Sequence, residues 1–120
     1  MKMNKIEYYK AATEFEINKD RTETISKIYN ESLPVELQHI VSYAGVVDFF
    51  DEERRAISYE EMKDPAYQME IDFVKKGYLP VVDVYDNTFI VYVFKYRHWA
   101  KYNSVDDMIY KEGQSLDELL

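Results

Sequence analysis

The stretch Gly77–Phe94, GYLPVVDVYDNTFIVYVF, constrains the fold most: it is the longest apolar run, broken at one polar point, Asp86-Asn87. Asn and Asp tolerate positive φ better than other non-glycine residues, so the break predicts a tight turn between two antiparallel strands. A two-residue turn sets Val84 opposite Phe89 and Val82 opposite Val91; a three-residue loop through Thr88 shifts the register by one and swaps the pairs. In the first register the other face carries Tyr85, Ile90, Tyr92, Phe94 and one acid, Asp83. Both faces are mostly apolar, as in central strands covered on one side and at least partly on the other. An unpaired carboxylate on such a face is costly, so Asp83 should find a partner in Lys95, Arg97 or a tyrosine hydroxyl.

The flanking segments supply helices and further short strands. Ile6, Tyr9, Ala12 and Phe15 recur at helical spacing, whereas Thr13–Ile17 alternates as a strand would. Asp20 and Glu23 have capping-box spacing and predict a helix to about Asn30, with Ile25, Ile28 and Tyr29 on one face. Leu33, Leu37, Ile40, Val41 and Ala44 form the stripe of a helix that Pro34 opens and Gly45 ends; His39 falls on its solvent side. Val46–Phe50 reads as a strand, Asp51–Arg54 as a charged turn, and Arg55–Ser58 as a second short strand. Ser58 to Glu61 is a capping box. Asp64-Pro65 restarts a helix that buries Ala66, Met69 and Phe73 and closes at Gly77. Beyond the hairpin, Tyr96, His98 and Trp99 either prolong its second strand or begin a loop. Met108–Tyr110 reads as a last strand, Glu112-Gly113 as a turn, and Ser115 as the cap of a terminal helix carrying Leu116, Leu119 and Leu120.

Charge is distributed unevenly. The formal net charge is −8, yet residues 1–31 balance and residues 73–100 are net positive. Residues 48–72 hold Asp48, Asp51, Glu52, Glu53, Glu60, Glu61, Asp64, Glu70 and Asp72 against Arg54, Arg55 and Lys63, a net of −6. Such a surface repels nucleic acid and anionic lipid and suits a basic partner, or serves solubility alone. The candidate partner-binding residues are therefore Asp48, Asp51, Glu52, Glu53, Tyr59, Glu60, Glu61, Asp64 and Tyr67, with the two tyrosines as aromatic anchors beside the acids. A solvated face explains the same pattern equally well.

Other chemistry has little support. The chain has no cysteine, hence no disulfide, thiolate metal site or cysteine nucleophile, which fits a reducing compartment. His98 with Ser104, Asp106 and Asp107 contains acid–base residue types, but a Ser–His–Asp device is defined by geometry, and no Gly-x-Ser-x-Gly elbow is present. Asp83, Asp86 and Asn87 do not follow the alternating pattern of a calcium loop. No cofactor is expected. The N-terminus MKMNKIEYYK lacks an apolar signal core, and no run approaches the ~20 residues of a membrane span, so a cytoplasmic protein is expected.

The order of motifs resembles the SUKH superfamily, which includes a fungal cell-wall-assembly regulator and many bacterial immunity proteins. The residues carrying the resemblance are Leu33-Pro34 through Gly45, the strand Leu79-Pro80-Val81-Val82-Asp83, and the terminal Ser115–Leu120, with the Ser58-capped turn between them. It covers about residues 20–120 and leaves 1–19 as an N-terminal extension of one domain. The resemblance implies an α+β fold, a twisted and mainly antiparallel sheet with helices packed against it. It also implies a non-enzymatic protein that binds another protein, as bacterial members neutralise secreted toxins, often nucleases, by stoichiometric binding. A monomer or weak homodimer is expected, since the strand edges of a small sheet can pair.

Overall fold

The computed structural model describes residues 4–46, 54–64, 67–68 and 70–120. Three helices come first. Asn4 caps α1 (Lys5–Glu14) by accepting the Glu7 amide, and the helix buries Tyr8 and Ala12 while Ile6 stays exposed. The helical alternative thus holds for this segment, with its buried stripe displaced from the expected one. α2 (Lys19–Tyr29) is capped by Asn18, not Asp20: Asn18 Oδ1 accepts the Arg21 amide at 3.1 Å, and Ser42 Oγ fixes the Asn18 amide at 2.8 Å. That second bond holds Asn18 in the extended conformation a cap requires. α3 (Val35–Tyr43) buries Leu37, Ile40 and Val41, with Leu33 and Ala44 at its ends. The Arg21 guanidinium donates to the carbonyls of Val41, Ser42 and Ala44, which satisfies the end of α3 and its dipole. Gly45 then turns the chain at a φ of +85°. His39 is half-buried rather than solvated; its Nδ1 lies 2.7 Å from the Phe15 carbonyl.

The rest of the chain forms an α+β arrangement. Among the described residues, five antiparallel strands lie in sequence order: β1 (Arg54–Ala56), β2 (Tyr78–Val84), β3 (Thr88–Val93), β4 (His98–Asn103) and β5 (Met108–Gly113). Two short helices, α4 (Tyr59–Lys63) and α5 (Phe73–Lys76), lie between β1 and β2, and a 3-10 turn at Leu116–Glu118 ends the chain. No described helix is long and apolar enough to cross a membrane. The strand expected at Val46–Phe50 and the charged turn after it fall at 47–53, outside the described residues, apart from Val46, which lies in the turn after α3, and Arg54, which opens β1.

The central hairpin is present in a register different from the two-residue reading. Val84 pairs with Thr88, Asp83 with Phe89 and Val82 with Ile90, so Tyr85-Asp86-Asn87 form a three-residue loop, with Asp86 and Asn87 at φ of +70° and +61°. Val81 is an extra residue between the Val82–Ile90 and Pro80–Val91 pairs, and its carbonyl accepts the Ile57 amide at 3.0 Å. Residues facing one another across an antiparallel pair share a face. One face therefore holds Leu79, Val82, Ile90, Tyr92 and Trp99, and Tyr29 of α2 meets it through Phe94, with ring centroids 5.3 Å apart. The other holds Arg55, Asp83, Phe89 and Tyr102, where Phe73 of α5 packs edge-on against Phe89 and Tyr102.

Three other expectations need correction. His98–Asn103 is a full strand, reached through a turn in which Arg97 takes a φ of +56°. Of the helix expected from Asp64-Pro65, the described residues show one turn, α5, because Asp72 is its cap (Oδ1 accepts the Lys75 amide at 3.0 Å) while Asp64 closes α4; Pro65, Ala66 and Met69 lie outside the described residues. Ser115 opens only a 3-10 turn and makes no capping bond; its hydroxyl binds Asp117 and Glu118 instead.

Candidate functional site

β1 is short and pairs only with residues 82–84 of β2. The outer edge of β2 beyond it is closed by other groups: Tyr29 Oη donates to the Tyr78 carbonyl at 3.0 Å. Where α2, α4, α5 and this edge meet there is a cleft of about 310 Å³. Its buried members, Tyr29, Met62, Phe73 and Pro80, form the floor, and half-buried Ile28, Tyr67 and Ile71 form the walls. The exposed members, Lys63, Asp64, Asp72 and Val74, with Glu61 and Gln68, form the rim. An apolar concavity with a few convergent polar groups is the usual form of a binding site.

A five-residue polar network stands beside the cleft. Ser58 and Glu61 make a complete capping box at the start of α4. The Glu61 carboxylate also receives both arms of Arg55, at 2.7 and 3.0 Å. The same guanidinium donates to Tyr67 Oη at 3.1 Å and lies 3.6 Å from Asp83, its cross-strand neighbour. Tyr67 Oη donates to Asp83 at 3.4 Å. Asp83 thus has the tyrosine partner that its place on an apolar strand demands, while its cation is Arg55 and not Lys95 or Arg97.

Burial alone raises the Glu61 carboxyl, but hydrogen bonds from Arg55 and Ser58 outweigh it and hold the group below the usual carboxylate range. Asp83 ends on the other side. Burial pushes its carboxyl up, and Arg55 and Tyr67 only partly offset this. Burial and the charge of Asp83 push the Tyr67 hydroxyl up to about 12.

The signs give a test. Asp83 binds its proton more readily folded than unfolded, so its contribution to stability is full below the ordinary aspartate value of about 3.9 and is lost as pH rises through the raised value. Glu61 contributes in the opposite sense, stabilising above the ordinary value and losing that contribution as pH falls through the depressed one. Asp83→Asn is therefore expected to match or exceed the native protein at pH 7, by up to about 1 kcal/mol, and to remove the decline above about pH 4 in urea melts. A loss of more than about 1 kcal/mol at pH 7 would show that Asp83 stabilises as an anion.

The structure brings together Glu61, Asp64 and Tyr67 of the acids and tyrosines expected to bind a partner. Tyr59 is half-buried and engaged internally, with Arg21 and Lys63 over its ring at 4.5 and 4.9 Å. Glu60 is exposed and pairs with Lys63 at 3.2 Å. Asp48, Asp51, Glu52 and Glu53 lie outside the described residues. Sequence reasoning missed Arg55, Asp72, Tyr29 and Ile71 as members of the site; the acidic stretch 48–72 and the need of Asp83 for a partner were the signals leading toward it.

The other candidate groups do not converge. His98 Nε2 is 3.6 Å from Glu112, Ser104 bonds the Asn87 carbonyl, and Asp107 binds Lys76 and Tyr102, each at 2.7 Å. Among the described residues no group of His, Asp and Glu is placed to hold a metal. Compared with family models, curated proteins and solved structures, the chain finds no match in any of the three.

Proposed function

We propose that this chain is a non-enzymatic protein-binding domain that captures a basic protein partner through the surface around α4 and the cleft beside it. The observation that carries the reading is the coincidence of an apolar cleft with the most acidic part of the chain: Glu61, Asp64 and Asp72 on its rim, with exposed Glu60 and Glu70 on the same segment. Apolar concavities that also hold complementary charge bind proteins with speed and orientation, the charge acting mainly on the association rate. The sequence resemblance to the SUKH superfamily gives the partner class: a secreted toxin domain, neutralised in the cytoplasm by stoichiometric occlusion of its basic working surface. A regulatory protein of the same kind, binding a housekeeping partner, uses the same surface and differs only in what it holds.

Affinity capture from the native lysate and secreted fraction, at low and high salt, tests this. A single basic protein retained at low salt and lost at high salt is the expected result. Reversing Glu60 and Glu70 to Lys, which leaves the Glu61 capping box intact, is expected to slow association about tenfold. Unchanged binding kinetics in that variant would remove the acidic surface from the reading.

A further inference from the structure

Resting on the protein-binding reading above, we propose that the cleft between α2, α4, α5 and β2 is an anchor pocket for one arginine side chain of the partner. Its volume of about 310 Å³ is at the lower end of the ~300–1,000 Å³ typical of small-ligand sites, a size suited to one large side chain. Its floor and walls match the two parts of arginine. Met62, Ile71 and Pro80 offer an apolar path for the three-methylene stem. Tyr29, Tyr67 and Phe73 line the same space, and an aromatic lining favours a planar, weakly hydrated guanidinium over an ammonium.

The sign of the rim completes the match. Glu61 is already satisfied by Arg55, and Lys63 is drawn toward Glu60 and the Tyr59 ring. Asp64 adds to the acidic rim, and Asp72 sets the potential where α5 begins; one of its oxygens accepts the Lys75 amide. Its field reaches the floor: after burial, the Asp72 charge is the second cause that pushes the Tyr29 hydroxyl up. An acidic side chain is repelled here, and a purely apolar one leaves the rim charge unused. The molecule already pairs the same groups internally, with Arg21 over Tyr59 at 4.5 Å and Arg97 over Tyr92 at 6.0 Å.

The test is an amide-resolved NMR titration of the full chain with N-acetyl-arginine methylamide, with the norleucine and glutamate analogues as controls. Saturable shifts at Tyr67, Gln68, Ile71 and Val74 are expected, with a Kd of about 1 mM for a ligand of this size. The norleucine analogue should bind at least about tenfold more weakly, and the glutamate analogue should leave these amides unmoved. Filling the cleft with Ile71→Trp should abolish the shifts, and Val74→Trp, at a more exposed position, gives a second plug should the first unfold. No saturation by about 10 mM arginine analogue, equal binding of norleucine, or shifts that survive both plugs each overturn the proposal. These failures leave the protein-binding reading intact, because capture by the acidic surface is measured separately. Conversely, arginine binding in a chain that retains no basic protein upholds the pocket and removes the toxin reading.

Discussion

Glu36→Ala is expected to destabilise the fold by about 3 kcal/mol, roughly 10–15 °C in Tm, because it removes one acceptor shared by three donors from distant parts of the chain. Glu36 is half-buried on α3. Its carboxylate accepts the Tyr9 hydroxyl from α1, the Trp99 indole N–H from β4 at 2.6 Å, and the Leu116 backbone N–H at 3.2 Å. The last bond explains how the terminal 3-10 turn stands without a cap from Ser115: Glu36, eighty residues earlier, satisfies its first amide. Each donor left without a partner in a half-buried place costs about 1 kcal/mol or more, and bonds to a charged acceptor are at the stronger end. Glu36→Gln keeps the shape and one acceptor oxygen, so about half the loss is expected. Urea melts read by fluorescence of Trp99, the single tryptophan, measure both variants. A change below about 1 kcal/mol in Glu36→Ala would mean that water takes over all three bonds.

The comparison of sequence with structure follows the range of the forces involved. The hairpin is legible because its information is local: an apolar run and an Asp-Asn pair able to take positive φ. Its register is not, because Val81 is indistinguishable in type from Val82, yet it leaves the ladder to bond Ile57 from another segment. β4 was ambiguous for a related reason. The turn before it, Phe94–Arg97, contains no Gly, Pro, Asn or Asp, and Arg97 takes the left-handed conformation with its guanidinium bonded to the Ser32 carbonyl. Lys101 then interrupts the apolar pattern on the face it shares with Ile90.

The cleft lies further from what a pattern can reveal. It is built from α2, α4, the segment before α5 and β2, and the Arg55–Asp83 pairing that borders it depends on strand register. What could be read was the demand for a partner: a carboxylate on an apolar strand. A tyrosine hydroxyl was a correct answer to that demand, but which tyrosine answered was fixed only by the packing of the segment before α5. The acids of α4 were legible as a helix start, and Glu61 serves that local role while also binding Arg55. Glu61 therefore belongs to the architecture, and the exposed acids beside it are the ones to reverse in a binding test.

Phe73→Ala is expected to cost about 3–4 kcal/mol and to loosen the floor of the cleft. α5 has four residues, far below the ~12–15 that hold a helix in water by propensity, so tertiary contacts must fix it. Phe73 is the main one: it is buried, and its ring meets Phe89 and Tyr102 edge-on at 5.3 and 6.3 Å. Other ties among the described residues are the Asp72 cap, the left-handed Gly77 stop, whose carbonyl accepts the Phe94 amide, and Lys76, which lies over the Tyr102 ring and pairs with exposed Asp107. Solvent screens an exposed pair, and a cap contributes only about 1 kcal/mol, so neither replaces the ring. Removing the ring both empties a volume between two strands and leaves α5 without an anchor. Hydrogen exchange should then show residues 73–77 losing protection beyond the global loss, while β3 and β4 follow global unfolding. Phe73→Leu refills much of the space and should cost less than half as much. If protection at 73–77 falls only in step with the rest of the chain, α5 is held by its cap and ion pair, and the cleft floor does not depend on the aromatic contact.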